Sequence, residues 1–192
     1  MTTIIGISGS LRKGSLNGHL LAAAAALAPE GARIEVATIR GIPLYDGDLE
    51  AEHGVPEPVR ELKERIAAAS GLLLATPEYN SSIPGVFKNA IDWLSRPGSD
   101  IARVFGGKPV ALMGATPGRG GTIQAQGAWL QVLRALGTAP WFGPRMMVST
   151  AGSLFDASGR LTDEATGKQL AAFVAGFVAV VKRGDEQAVR TS

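Results

Sequence analysis

Gly71-Leu72-Leu73-Leu74-Ala75-Thr76-Pro77-Glu78-Tyr79-Asn80-Ser81-Ser82-Ile83-Pro84-Gly85 decides the architecture of this chain. Its first six residues, Gly71–Thr76, form a continuous apolar run with no alternation. That is the pattern of a strand buried on both faces, as in a parallel sheet covered by helices. A polar loop bounded by Pro77 and Pro84 follows. Proline biases the residue before it towards extended backbone, so the loop reads as stiff. Pro84 then opens a helical pattern over Gly85–Ser95, in keeping with the preference for proline at a helix start. Val86, Phe87, Ala90, Ile91 and Leu94 make its core stripe. Trp93 falls off that stripe, beside Asn89 and Arg96, and a Trp among polar groups reads either as an interface residue or as a half-buried surface residue.

The strand–loop–helix unit repeats in both directions. Upstream stand a strand over Thr3–Ser8, a helix over Ser15–Ala28, a strand over Arg33–Thr38 and a helix over Pro56–Ala69. Downstream come a strand over Pro109–Gly114, a helix over Thr122–Leu136, a strand over Arg145–Ser149 and a last helix over Thr162–Lys182. Such alternation defines an α/β fold with a doubly wound five-stranded parallel sheet and helices on both faces. The spacing fits the flavodoxin-like order 2-1-3-4-5, whose ligands sit outside the carboxyl ends of the strands at the switch point between strands one and three. One domain is expected over 1–184, with 185–192 a flexible tail. On the helix over Thr122–Leu136, Trp129 and Val132 lie apart from Leu130 and Leu133. Together with Trp93 they predict at least a homodimer.

The loop after the first strand, Gly9-Ser10-Leu11-Arg12-Lys13-Gly14-Ser15-Leu16-Asn17, opens a helix. A helix start offers unpaired N–H groups and a positive dipole end, which suit phosphate. Ser10 and Ser15 add hydroxyls, Arg12 adds a charged fork, and Asn17 adds an amide. The plainer reading is a polar turn with Ser15 as a simple N-cap, as the loop after the third strand could be no more than a rigid connector; position and donor density favour phosphate. Gly9-x4-Gly14-Ser15 imitates a Walker A loop, but Lys13 stands on the wrong side of Gly14, and no G-x-G-x-x-G occurs here.

Composition narrows the classes. The chain has 192 residues, 45% hydrophobic and 19% charged, which suits one globular domain. It has no Cys, so disulfides, thiolate metal sites and a Cys nucleophile are excluded. His19 and His53 stand far apart. The formal charge is +2, with basic residues scattered, so no nucleic-acid footprint is expected. Leu170–Val181 is too short to span a bilayer, and Met1–Ile5 is a short apolar run leading straight into Gly6, without a signal-peptide pattern. A cytoplasmic protein with no membrane partner is the expectation.

At Gly9-Ser10-Leu11-Arg12…Ser15…Asn17, at Pro77-Glu78-Tyr79-Asn80…Ser82…Pro84-Gly85, and at Lys88-Asn89-Ala90-Ile91-Asp92-Trp93…Ser95-Arg96 the chain closely resembles the NADPH-dependent FMN reductase family, which includes quinone, azo-dye and chromate reductases. The resemblance implies FMN as cofactor and NADPH or NADH as co-substrate. It implies that Ser10, Arg12, Ser15, Leu16 and Asn17 hold the FMN phosphate, and that Pro77, Glu78, Tyr79, Asn80 and Ser81 line the isoalloxazine. It also implies a third loop, Ala115–Gly121, closing over the flavin with Thr116 and Gly118, and a homodimer or homotetramer. Many relatives begin the following helix with a Gly-Gly-x-Arg-x-Gln-like segment. Here it reads Gly120-Gly121-Thr122-Ile123-Gln124-Ala125-Gln126, without the Arg.

The implied activity is ping-pong electron transfer from NAD(P)H to small acceptors: quinones, azo compounds, free flavin and, as a metal oxyanion, chromate. No catalytic side chain is assigned, because the cofactor carries the chemistry. Arg12 and Arg119 are candidate partners of a nicotinamide cofactor's phosphates by charge alone. The rival reading is a flavodoxin-type electron carrier; such carriers are strongly acidic to steer towards basic partners, whereas this chain is mildly basic. A P-loop hydrolase and a flavin-free structural protein are further rivals, each tested by the colour of the purified protein.

Overall fold

The computed structural model describes residues 1–191, with side chains described through Glu186. Its sheet is parallel throughout. Strand β1 (Thr2–Ser8) lies between β2 (Ala32–Ala37) and β3 (Gly71–Ala75), and β4 (Pro109–Ala115) follows on the far side of β3. The register places Ile7 beside both Ala37 and Leu74, and Leu74 beside Leu112. The expected order is therefore present: β3 is buried at every position, as its unbroken apolar run requires.

Alternation of side chains across the pleat divides the core in two. Ile4, Leu73, Ala75, Ala111 and Met113 face α1 (Leu16–Ala26) and α7 (Glu164–Thr191). Ile5, Ile7, Leu72, Leu74 and Val110 face α3 (Glu57–Ala68), α4 (Gly85–Leu94), α5 (Ile101–Phe105) and α6 (Ile123–Ala135). By length and composition Glu164–Glu186, with a mean hydropathy of 1.3, could cross a membrane. Its stripe Leu170, Phe173, Val174, Phe177, Val178 and Val181 is instead packed against the sheet. The expected flexible tail over 185–192 lies largely outside the described side chains; the α7 backbone continues to Thr191.

The expected last strand over Arg145–Ser149 is present as β6 (Met146–Val148), and the same sheet edge carries an additional short segment, β5 (Ala139–Pro140), both paired with β4. Val110 faces Pro140 and Met113 faces Met146, so β4 advances three residues while the edge chain advances six. The surplus leaves the ladder as a loop over 141–145. Trp141 anchors it, with its ring 5.2 Å from Phe173 and 5.6 Å from Phe177. The chain then turns back closely over that ring: a Cβ on Gly143 would fall 2.0 Å from it.

Two tryptophans correct the sequence reading. Trp93 is not an exposed interface residue but is fully buried. Its Nε1 donates to the Pro43 carbonyl at 3.0 Å, and its ring meets Tyr45 edge-on at 4.9 Å. The stretch between β2 and α3, which carries the short helix α2 (Gly47–His53), folds over the face that α4 turns away from the sheet. Trp129 is also fully buried, against Phe87 at 4.8 Å. The stripe of α6 is Ala125, Trp129 and Leu133, so Leu133 shares the inward face of Trp129 rather than standing apart from it, and Leu130 is left exposed.

Candidate cofactor site

The carboxyl ends of β1, β3 and β4 lie side by side, and the loop after each contributes to one cleft. Gly9 begins the first loop, and its N–H donates to the Ala75 carbonyl at 2.9 Å. Only glycine fits there, because a Cβ would sit 2.1 Å from the Phe87 ring. The loop is thereby pinned between β3 and α4. Arg40 donates to the Leu11 carbonyl and braces its outer side. Ser15 is the N-cap of α1, with its Oγ accepting from Gly18 N at 3.2 Å. The first turn of α1 contains no acidic residue, so the positive end of the helix is uncompensated within the helix itself.

Asn17 is buried, and both ends of its amide are bonded. Nδ2 donates to the Ala115 carbonyl at 2.8 Å, while Oδ1 accepts from Ala115 N at 2.9 Å. This closed pair ties α1 to the end of β4. The Asn17 side chain therefore sets the cleft's floor, and what it offers a ligand is backbone N–H.

The second wall is the loop after β3. Tyr79 and Ser82 exchange backbone hydrogen bonds at 3.1 and 3.0 Å around Asn80 (φ 50°) and Ser81 (φ 60°). Two successive positive φ values make a type I′ turn. The expected stiffness is real, but it comes from this turn as much as from the prolines. Tyr79 stands half-exposed at the rim. Thr76 is fully buried; its Oγ1 donates to the Pro77 carbonyl at 2.9 Å and accepts from Trp129 Nε1 at 3.0 Å. The Glu78 carboxylate accepts from Gln124 N at 2.8 Å and Ala125 N at 3.0 Å at the start of α6.

The third wall is the loop after β4. Thr116 N donates to the Val148 carbonyl and Ala151 N to the Thr116 carbonyl, at 3.0 and 2.9 Å. Thr150 N donates to the Gly118 carbonyl at 2.8 Å. These bonds bring the turn after β6 to the cleft.

The resulting cleft has a volume of about 340 Å³, within the roughly 300–1,000 Å³ usual for small-molecule sites. Of the residues singled out by sequence, Ser10, Arg12, Ser15, Leu16, Asn17, Pro77, Glu78, Tyr79 and Thr116 line it. Asn80, Ser81 and Gly118 do not; they shape the turns that carry the lining residues. Gly152 lines the cleft and escaped the sequence reading. It follows β6, and nothing local marks it; only the bonds at Thr150 and Ala151 bring it in.

The donor set fits an FMN-type ligand at one end and a flat ring at the other. Ser10, Ser15, Arg12 and the bare first turn of α1 bring hydroxyl and N–H donors and positive charge with no carboxylate among them, and Arg12 has no ion-pair partner among the described residues. Pro77, Tyr79 and Pro117 present rigid apolar surface. Among the described residues no cluster of His, Asp or Glu is fit to hold a metal.

A doubly wound sheet with a phosphate-suited cleft at its switch point defines a class, the flavodoxin-like nucleotide-cofactor proteins. Within that class the chain belongs to the NADPH-dependent FMN reductase family, whose model matches residues 2–153. It is 50% identical over 161 residues to an NAD(P)H-dependent FMN reductase of Pseudomonas aeruginosa, covering 84% of this chain and 85% of that one. It is 41% identical over 176 residues to a 2-hydroxy-1,4-benzoquinone reductase of a Burkholderia species, covering 92% and 94%. Among solved structures, the flavoenzyme NAD(P)H:acceptor oxidoreductase FerB of Paracoccus denitrificans superposes with a TM-score of 0.85 at 37% identity, over 95% of this chain and 98% of that one.

Proposed function

We propose that this chain is an FMN-dependent NAD(P)H oxidoreductase that delivers electrons to small flat acceptors, quinones first among them. The observation that carries the reading is the cleft itself. Arg12 and the acid-free start of α1 form a phosphate end, and the Pro77–Tyr79 and Thr116–Pro117 segments form a ring end. The family match and the quinone-reducing relatives support the same activity.

In the net reaction NAD(P)H gives up a hydride, and the quinone gains two electrons and two protons, one of them from solvent. FMN, when bound, supplies the redox chemistry that links the two halves. The protein's own residues bind and orient. Ser10, Arg12, Ser15 and the backbone N–H groups of Leu16 and Asn17 are assigned to the phosphate. The Pro77–Tyr79 strip and Thr116 flank the ring, with Asn80, Ser81 and Gly118 acting through the backbone that positions them. No side chain is assigned as general acid or base. One open cleft shared by both substrates implies ping-pong turnover, and azo compounds, free flavin and chromate are acceptors in the same sense.

The reading extends to a cytoplasmic homodimer or homotetramer acting on small molecules, without nucleic-acid or membrane partners. Its interface is assigned to Ile123, Leu130 and Phe142. All three are exposed, and all line an apolar cavity of about 400 Å³ between α6 and the loop over 141–145. Exposed apolar patches of this kind mark association surfaces. Ile123 stands in the segment where many relatives carry the Arg that is missing here.

Anaerobic stopped-flow mixing tests the activity. NADH or NADPH should bleach bound FMN without any partner protein, a small quinone should restore the colour, and initial rates should give parallel double-reciprocal lines. FMN that stays oxidised in excess of both nicotinamides would establish the electron-carrier reading instead, against the net charge of +2.

A further inference from the structure

We propose that Glu78 is a positioning residue with an electrostatic role: its carboxylate, in the cleft wall, holds the start of α6 behind that wall, offsets the positive end of that helix, and so lowers the reduction potential of a flavin bound in the cleft. The proposal rests on the FMN reading above.

Helix α6 lacks a cap of its own. Its N-cap residue, Thr122, makes no side-chain capping bond. The Thr122 hydroxyl is buried and turned inward, where it accepts from Gln126 Nε2 at 3.1 Å. It packs so closely on β4 that a Cβ on Gly114 would lie 2.0 Å from it. No acidic residue occupies the first turn either. The orphan amides of a helix start must nonetheless find acceptors. The Glu78 carboxylate meets those of Gln124 and Ala125 at 2.8 and 3.0 Å, from 46 and 47 positions earlier in the chain.

This cap joins one wall of the cleft to the helix that continues from another. Glu78 stands between Pro77 and Tyr79 and lines the cleft with them. Thr116 and Pro117 belong to the loop that runs into α6. A second link lies further along the same helix, where Trp129 Nε1 donates to Thr76 Oγ1. Helix α6 is thus fastened twice to residues 76–78, the segment that forms one wall of the cleft.

The charge matters as well as the geometry. A helix start carries about half a positive charge. Reducing a flavin adds negative charge, so an uncompensated helix end beside it favours the reduced form. The Glu78 carboxylate opposes that effect. Glu78→Gln separates charge from geometry, because the amide oxygen still accepts hydrogen bonds.

The test uses wild type, Glu78→Gln and Glu78→Ala, each loaded with FMN and titrated against redox dyes, together with amide exchange on the FMN-free chains. Both variants should raise the reduced-to-oxidised ratio at fixed potential about tenfold, an upward shift of about 30 mV for a two-electron couple. Glu78→Ala should also speed exchange at Gln124 and Ala125, whereas Glu78→Gln should retain most of the protection. An unchanged potential in both variants overturns the electrostatic role. Unchanged exchange in Glu78→Ala overturns the cap. Wild type that takes up no FMN overturns the functional reading and the potential with it, while the exchange data still decide the cap.

Discussion

At the scale of single residues, the cleft separates groups that offer themselves to a ligand from groups already spent on the fold. Arg12 belongs to the first kind: it lines the cleft and has no carboxylate partner among the described residues. A hydrogen bond to a charged group is worth roughly 1.5–3 kcal/mol, so Arg12→Ala should weaken FMN about ten- to a hundredfold. A fluorescence titration checks this, and wild-type affinity in the variant would remove Arg12 from the phosphate site. Asn17 belongs to the second kind. Its residue type at the start of α1 suggested a phosphate donor, yet both ends of its amide close on Ala115. The sequence showed a polar residue at the right place; it did not show which of two partners would take it. Glu78 is a similar case, read as a ring-lining residue and found holding the first amides of α6.

At the scale of elements, α6 is where reading and structure diverge most. Its pattern reads as two apolar faces, Leu130 with Leu133 and Trp129 with Val132, but Leu133 is buried in the same stripe as Trp129. Trp129 goes inward because its indole fills the space against Phe87 while its N–H reaches Thr76, and a buried indole needs such a partner. That rotation leaves Leu130 38% exposed, next to Ile123 and Phe142. A carboxylate placed in this patch should disrupt association and leave the fold intact. Leu130→Glu should therefore sediment as a smaller species than wild type, with an unchanged circular dichroism spectrum. Equal sedimentation of the two would remove this face as the interface.

At the scale of the whole molecule, ion pairs tie the outer helices together on one side of the sheet. Arg96 holds Glu50 of α2 at 2.8 Å. Lys63 of α3 holds Asp100 at 3.1 Å, and Arg103 of α5 grips Glu64 of α3 with two bonds of 2.8 Å. The Arg96 hydrogen bond holds the Glu50 carboxyl below its ordinary 4.5, Arg103 does the same for Glu64, and Lys63 holds Asp100 below its ordinary 3.8. Carboxyls depressed in the folded state favour folding fully above their ordinary values, and that contribution is lost as the pH falls through the folded-state values. The melting temperature should therefore stay level from neutrality down to about pH 5 and fall below that. Glu50→Gln should melt lower than wild type at neutral pH and show a shallower acid fall. Parallel acid limbs in the two proteins would show that the Arg96–Glu50 pair does not contribute.

The sequence by itself determined the sheet order, the succession of elements around it and the three loops that meet at the switch point. Those follow from local pattern: an unbroken apolar run at β3, helical spacing between strands, and Gly, Pro and Ser at the turns. It also determined most of the residues that line the cleft, because strand ends on a parallel sheet project their loops to one side. Tertiary structure alone decided the burial of Trp93 under the segment carrying α2, the inward turn of Trp129, the addition of β5 to the sheet edge that carries β6, and the arrival of Gly152 at the cleft. It also decided that Glu78 rather than Thr122 caps α6. In each of these the outcome turns on a partner far away in the chain, such as Pro43 for Trp93 and Thr76 for Trp129. A periodic pattern tells which residues share a face, but only packing tells what lies opposite that face and which buried polar group finds its partner there.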